Sequence, residues 1–174
     1  MVDTLFLREF LRNPTGIAAV TPSSAAMATL LSVSIPESGE PVVVELGAGT
    51  GACTGVIQHR LCGRGHHIAV EVNPTFAELL TTRYPHVEVV CGEAKDLPQF
   101  LADRGAPSAD VIISTLPWAP FAPSATQRPL LATLTESLVG GGAYTQAAYT
   151  WTRWAPAARR QLRQLRASFE EVVI

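Results

Sequence analysis

The residues best placed to do chemistry lie in Glu45-Leu46-Gly47-Ala48-Gly49-Thr50-Gly51, where the run Val42-Val43-Val44 meets a carboxylate and three alternating glycines. Glycines at this spacing let the backbone turn through angles closed to other residues and let it approach a ligand closely. A second apolar stretch, Ile68-Ala69-Val70, ends in Glu71 and continues into Val72 and Asn73. Strand, glycine turn, helix and a second strand closing on an acid make a nucleoside-binding βαβ unit, in which the acid accepts hydrogen bonds from a ribose diol. A third acid, Glu93, follows the strand-like Val87-Glu88-Val89-Val90 by way of Cys91 and Gly92, and precedes Ala94.

The glycines alone do not separate the candidate cofactors, because Gly47, Gly49 and Ala52 also satisfy the dinucleotide pattern. The acids tip the balance. Glu45, Glu71 and Glu93 fall near the C-terminal ends of three successive strands, the edge at which open α/β sheets bind ligands. Carboxylates crowded there repel a pyrophosphate and attract a cation. S-adenosyl-L-methionine carries an ammonium and a sulfonium, so the sequence predicts that donor over NAD. The length of 174 residues agrees, since it leaves no room for the separate substrate domain of many dehydrogenases.

These residues need a scaffold, and the periodicity supplies one. Strands are expected near 42–46, 67–71, 87–91, 110–114 and 142–148, with a sixth over 169–174. Helices are expected near 53–61, 74–83, 97–103, 124–138 and 155–167. The alternation predicts an α/β fold, a single Rossmann-like doubly wound and mostly parallel sheet covered on both faces. Ahead of it, Leu5–Leu11 reads as a short amphipathic helix stopped at Asn13-Pro14, and Thr21-Pro22 starts a second helix over Ser23–Leu31. The division expected is an N-terminal helical lid over 1–40 and a cofactor-binding domain over 41–174, forming one globular unit.

The fourth strand, Ala109–Ser114, runs into Thr115-Leu116-Pro117-Trp118-Ala119-Pro120-Phe121. Beside the cofactor turn, this loop is expected to meet the reacting methyl group. Asp110, at the far end of the same strand, is expected to be structural.

Composition narrows the class. With 47% apolar and 16% charged residues the chain is globular, and a net charge of −2 gives no basic footprint for nucleic acid. Cys53, Cys62 and Cys91 lack zinc spacing, which suits idle thiols in a cytoplasm, and His59, His66, His67 and His86 form no ligand pattern, so no metal is expected. His66 and His67 precede a strand at the edge opposite the binding site and are expected at the surface. No secretory signal is evident, and the uncharged stretch 13–36 is broken by Pro14, Gly16 and Pro22, so it is not a membrane span.

Together these segments resemble a class I S-adenosylmethionine-dependent methyltransferase, and within that superfamily the bacterial phospholipid N-methyltransferase group. The resemblance covers nearly the whole chain. It rests on Phe6-Leu7-Arg8, Thr15-Gly16-Ile17, Thr21-Pro22-Ser23-Ser24, Glu45–Gly51, Glu71-Val72-Asn73-Pro74 and Ser114-Thr115-Leu116-Pro117-Trp118. It implies that Glu45 and Gly47, Ala48, Gly49, Thr50 and Gly51 hold the methionine end of the cofactor. Glu71, with Val72 and Asn73 beside it, takes the ribose, and Gly92, Glu93 and Ala94 border the adenine. Thr21, Ser23 and Ser24 belong to a lid, and Ser114, Thr115, Leu116, Pro117 and Trp118 form the catalytic loop, with Ser114 also beside the cofactor.

Two departures matter. Amino-methylating members often carry Asn/Asp-Pro-Pro-Tyr/Phe after strand four, and this chain has Thr115-Leu116-Pro117-Trp118, which argues against a nucleobase acceptor. An rRNA adenine dimethylase would show Asn-Leu-Pro-Tyr and a basic surface, and neither is present. Such folds also close with a seventh strand for which no residues remain after Ile174. Either the chain is shortened or the sheet is completed differently, a second copy of the chain being one option, since an open strand edge must be covered.

Methyl transfer needs alignment more than acid–base groups, so the lack of a His–Asp pair is no objection. Tyr144 and Tyr149 are candidates for proton acceptor by position alone, and both also fit core packing. Trp151 and Trp154 with Arg153, Arg159, Arg160, Arg163 and Arg166 could lie against anionic lipid headgroups, as could the Leu5–Leu11 helix, giving a cytoplasmic protein peripheral to the inner membrane. The arginines equally suit a solvated helix face. Three readings stay open: a methyltransferase acting on a phospholipid headgroup amine, a small-molecule O-, N- or C-methyltransferase, and a cofactor-binding protein without catalysis.

Overall fold

A computed structural model describes residues 25–116, 124–148 and 154–174. Its elements alternate. Helix α1 (Ala25–Leu31) leads into β1 (Val42–Leu46), α2 (Thr54–Leu61), β2 (His66–Glu71), α3 (Pro74–Arg83) and β3 (Glu88–Cys91). A 3-10 turn (Ala94–Asp96) and α4 (Leu97–Ala102) lead to β4 (Ala109–Ser114), then come α5 (Ser124–Glu136), β5 (Leu138–Gln146) and α6 (Pro156–Ser168).

The five strands form one sheet in the order β3-β2-β1-β4-β5, parallel throughout. Side chains alternate across it. Val44, Leu46, Ile68, Val70 and Ile112 face α4 and α5, and α6 packs alongside α5. Val43, Val111 and Ile113 face α1 and α2, while Ala69 faces α3. Both faces are therefore buried, as continuous Val/Ile strands require. The strand order reverses at β1, whose neighbours are β2 on one side and β4 on the other. The loops after β1 and β4 lead to opposite faces, which opens a crevice at their C-terminal ends.

Local chemistry fixes the ends. Asn73 caps α3, its side-chain oxygen accepting from the Thr75 and Phe76 amides at 2.9 and 3.4 Å, with Pro74 in the first turn. Asp110 is structural, as expected: its carboxylate accepts the Val42 amide at 2.8 Å and ties the start of β1 to β4.

Three expectations are corrected. Strand five starts at Leu138, ahead of the expected 142, because glycines 140–142 are part of the strand. The pairing shifts register there, from Ala109↔Leu138 to Val111↔Ala143, with Gly141 at φ +80°. Residues 169–174 form no strand. Phe169 is extended and its ring stacks on Tyr144 at 6.0 Å, but Val173 and Ile174 stand 84% and 89% exposed. Strand propensity extends a backbone, and a ladder needs a neighbour. His67 is not a surface residue; it is 3% exposed inside β2, while His66 is exposed and pairs with Glu88 at 3.0 Å. Alternation in a strand that begins at His66 turns only one of the two outward. The Leu5–Leu11 helix, Tyr149 and Trp151–Arg153 lie outside the described residues.

Replacing Asp110 with Ala leaves the Val42 amide without that partner and is expected to lower stability by about 1–3 kcal/mol. Denaturant unfolding measures this loss; unchanged stability would contradict the role.

Candidate active site

The turn after β1 is built on left-handed glycines. Gly47 and Gly51 have φ of +77° and +89°. A Cβ on Gly51 would lie 2.7 Å from the Tyr84 ring, whose hydroxyl donates to the Gly51 carbonyl at 3.1 Å. A side chain there is excluded by both strain and space.

Glu71 closes this turn onto β2. It is 6% exposed, and its two oxygens accept the Gly49 amide at 2.7 Å and the Asn73 amide at 2.8 Å. Burial pushes its pKa above the ordinary 4.5 and the nearby Glu45 adds to the rise, while the amides of Asn73, Gly49 and Val72 oppose it. Two oxygens offer about four acceptor positions, so the carboxylate keeps room for a hydroxyl beside these amides. Val72, next along, is 58% exposed.

Glu45 is fully buried beneath α2. Its Oε2 accepts the Thr54 hydroxyl at 2.7 Å and lies 3.2 Å from His67 Nε2, and its Oε1 has no hydrogen-bond partner among the described residues. Gly92, Glu93 and Ala94 follow β3 at the same sheet edge. Glu93 is exposed and pairs with Lys95 at 2.9 Å.

The loop after β4 is latched to the glycine turn. The Thr115 hydroxyl donates to the Gly47 carbonyl at 2.7 Å, and the Thr115 amide donates to the Leu46 carbonyl at 3.0 Å. The Leu116 side chain covers Gly47, where an added Cβ would sit 3.1 Å from its Cδ2. Ser114 is buried, its hydroxyl accepting the Leu116 amide at 3.3 Å. The structure thus brings together Glu45, Gly47–Gly51, Glu71–Asn73, Gly92–Ala94 and Ser114–Leu116. Thr21, Ser23, Ser24, Pro117, Trp118 and Phe121 lie outside the described residues.

What this edge resembles is clear from comparison with known proteins. A family model described as a methyltransferase domain matches residues 43–142. The chain belongs to the methyltransferase family. It is 39% identical over 145 residues to the ornithine lipid N-methyltransferase of Singulisphaera acidiphila, covering 82% of this chain and 75% of that protein. The fold matches two solved structures. One is an S-adenosylmethionine-dependent O-methyltransferase from Thermotoga maritima, with TM-score 0.64, 14% identity and 89% of this chain covered. The other is a TehB-like S-adenosylmethionine-dependent methyltransferase from Corynebacterium glutamicum, with TM-score 0.64, 15% identity and 95% of this chain covered. The chain spans 54% of the first and 83% of the second.

The methyltransferase holds polar groups that the sequence did not single out. Thr54 on α2 and His67 on β2 lie against Glu45, and Gln58 on α2 contacts the His67 ring in turn. Gln146, paired in register with Ser114, accepts the Tyr144 hydroxyl at 3.0 Å and the buried Gln161 amide at 2.8 Å. The tyrosine weighed as a proton acceptor therefore spends its hydroxyl on Gln146. Strand alternation from His66 onward would have put His67 on the face of Glu71, but the partner across the sheet depends on register, which no local pattern gives.

The raised pKa of Glu71 has a sign that can be measured. A carboxyl that holds its proton more tightly when folded contributes stability that is fully present below 4.5 and lost as pH rises through the higher folded value. Thermal melts are expected to fall across that window, and Glu71→Gln to flatten the fall. Parallel slopes for both proteins would contradict it.

Proposed function

We propose that this methyltransferase binds S-adenosyl-L-methionine along the C-terminal edge of β1, β2 and β3 and methylates the amine of a lipid headgroup. The observation that carries the cofactor reading is the buried pair of acids, Glu45 and Glu71, beside a turn of left-handed glycines. Among the described residues Oε1 of Glu45 has no partner and calls for a donor, and a cationic ligand relieves the mutual repulsion of the two carboxylates. The residues present fit the cofactor.

In this reading Glu45 and the Gly47–Gly51 backbone hold the amino-acid end. Glu71, supported by Val72 and Asn73, accepts the ribose hydroxyls, and Gly92, Glu93 and Ala94 border the adenine. Thr21, Ser23 and Ser24 fold over as a lid. Bound there, the cofactor supplies an electrophilic methyl group on a positively charged sulfur. The chain's own task is alignment, and the Thr115 latch fixes the loop that carries the acceptor against the turn that carries the donor. Ser114, Leu116, Pro117 and Trp118 then form the acceptor side, where loop carbonyls orient an amine.

The lipid part rests on the 39% identity to a lipid N-methyltransferase. It gains support from α6, where Arg159, Arg160, Arg163 and Arg166 are exposed beside Trp154, itself 64% exposed. Among the described residues no salt bridge involves these arginines. A basic amphipathic helix carrying an exposed tryptophan suits an anionic headgroup layer. No helix among the described residues is long and apolar enough to cross a membrane.

Incubation with methyl-labelled donor and separate lipid and metabolite extracts is expected to move label into the lipid phase. Label appearing only in polar metabolites would overturn the headgroup assignment in favour of a small-molecule acceptor. Glu71→Ala is expected to weaken cofactor binding by about 1–3 kcal/mol, from loss of hydrogen bonds to a charged acceptor; unchanged affinity by calorimetry would remove Glu71 from the ribose site. Vesicles containing anionic lipid are expected to pellet the protein better than zwitterionic ones. Replacing the four α6 arginines with Gln should abolish that difference, and equal pelleting of the wild type by both vesicles would defeat the membrane contact.

A further inference from the structure

The polar cluster under the glycine turn is more than a core irregularity. Glu45 and His67 are both buried, on β1 and β2, and the helix over them contributes Thr54 and Gln58, one turn apart on the same face of α2. Their surroundings are apolar: Val43, Cys53, Ile57 and Leu61 line the same face of the sheet. Polar side chains in such a setting lower stability unless every one is satisfied. Here satisfaction is incomplete in one specific way. The Gln58 amide nitrogen lies 3.0 Å from His67 Nδ1 and donates to it, so the ring hydrogen sits on Nε2. That nitrogen lies 3.2 Å from Oε2 of Glu45 and makes no hydrogen bond among the described residues. Oε2 is already engaged by Thr54, and Oε1 is unpaired.

We propose that His67 is a positioning residue for cofactor binding: with Gln58 fixing its tautomer, it holds the Glu45 carboxylate in the orientation that receives the ammonium of the donor's amino-acid end. The inference rests on the assignment of Glu45 to that end of the cofactor. Thr54 donates to Oε2 and the His67 ring edge abuts the same oxygen at 3.2 Å, so the other oxygen, Oε1, is the one left for a cationic donor arriving at the adjacent turn. Without the imidazole, the carboxylate keeps only the Thr54 hydroxyl and rotates away from a single orientation. Without Gln58, the ring hydrogen can move to Nδ1 and turn a lone pair toward Oε2.

Two ligands separate positioning from bulk stability. S-adenosylhomocysteine carries the amino-acid end, and 5′-methylthioadenosine keeps the adenosine and thioether without it. By calorimetry, His67→Leu is expected to weaken S-adenosylhomocysteine about tenfold or more and to leave 5′-methylthioadenosine within about twofold of wild type. His67→Gln, which restores an N–H donor, is expected to recover most of the loss. Gln58→Leu, on a half-buried helix position, should show a smaller loss with the same selectivity, and it carries the test should the buried substitution prevent folding. Equal losses for both ligands, or no loss for either, would overturn the positioning role and leave the cofactor site standing. A wild-type protein that binds neither ligand would overturn the site assignment itself.

Discussion

Burying negative charge at one sheet edge is the constraint on which the rest of this protein depends. A carboxylate removed from water is costly unless donors surround it. Glu71 meets that requirement with two backbone amides, one from the glycine turn and one from the start of α3. Those same bonds set the turn's distance from β2, so the acid that would read a ribose also shapes the loop that would carry the methionine end. In the proposed site binding and architecture would share one side chain, which fits glycines that follow β1 with no residues to spare.

The proposed donor side and the proposed acceptor side are joined by a similarly direct device. β4 pairs with β1, and the loop leaving it returns a hydroxyl to the Gly47 carbonyl. Where strand order reverses, the two loops lead to opposite faces, and the Thr115 and Leu116 side chains pack against the glycine turn. Reaction by displacement needs little from side chains beyond this geometry. The absence of an obvious acid–base pair in the sequence is consistent with that economy.

Much of this arrangement was legible before any coordinates. Val42–Leu46 and the glycines after it, the capping Asn73-Pro74, and α3 over residues 74–83 all follow from local rules, and the structure has them as expected. Asp110 was expected to be structural and is. The failures share a cause. Strand five is expected from residue 142, the last of its three glycines, whereas pairing with β4 through a register shift starts the strand at Leu138. Residues 169–174 have strand composition, but among the described residues no strand pairs with them. His67 is expected at the surface as a residue ahead of a strand, whereas the strand begins at His66 and buries His67 against β1. Pairing partners and register are tertiary facts, and sequence periodicity reports only the face.

A crystal structure of the protein soaked with S-adenosyl-L-methionine tests the central claim most directly. The account predicts the ribose hydroxyls within hydrogen-bonding distance of the Glu71 carboxylate and the amino-acid end over the Gly47–Gly51 turn. A donor lodged away from this edge, or a crevice that refuses it and accepts a pyridine dinucleotide, would contradict the account.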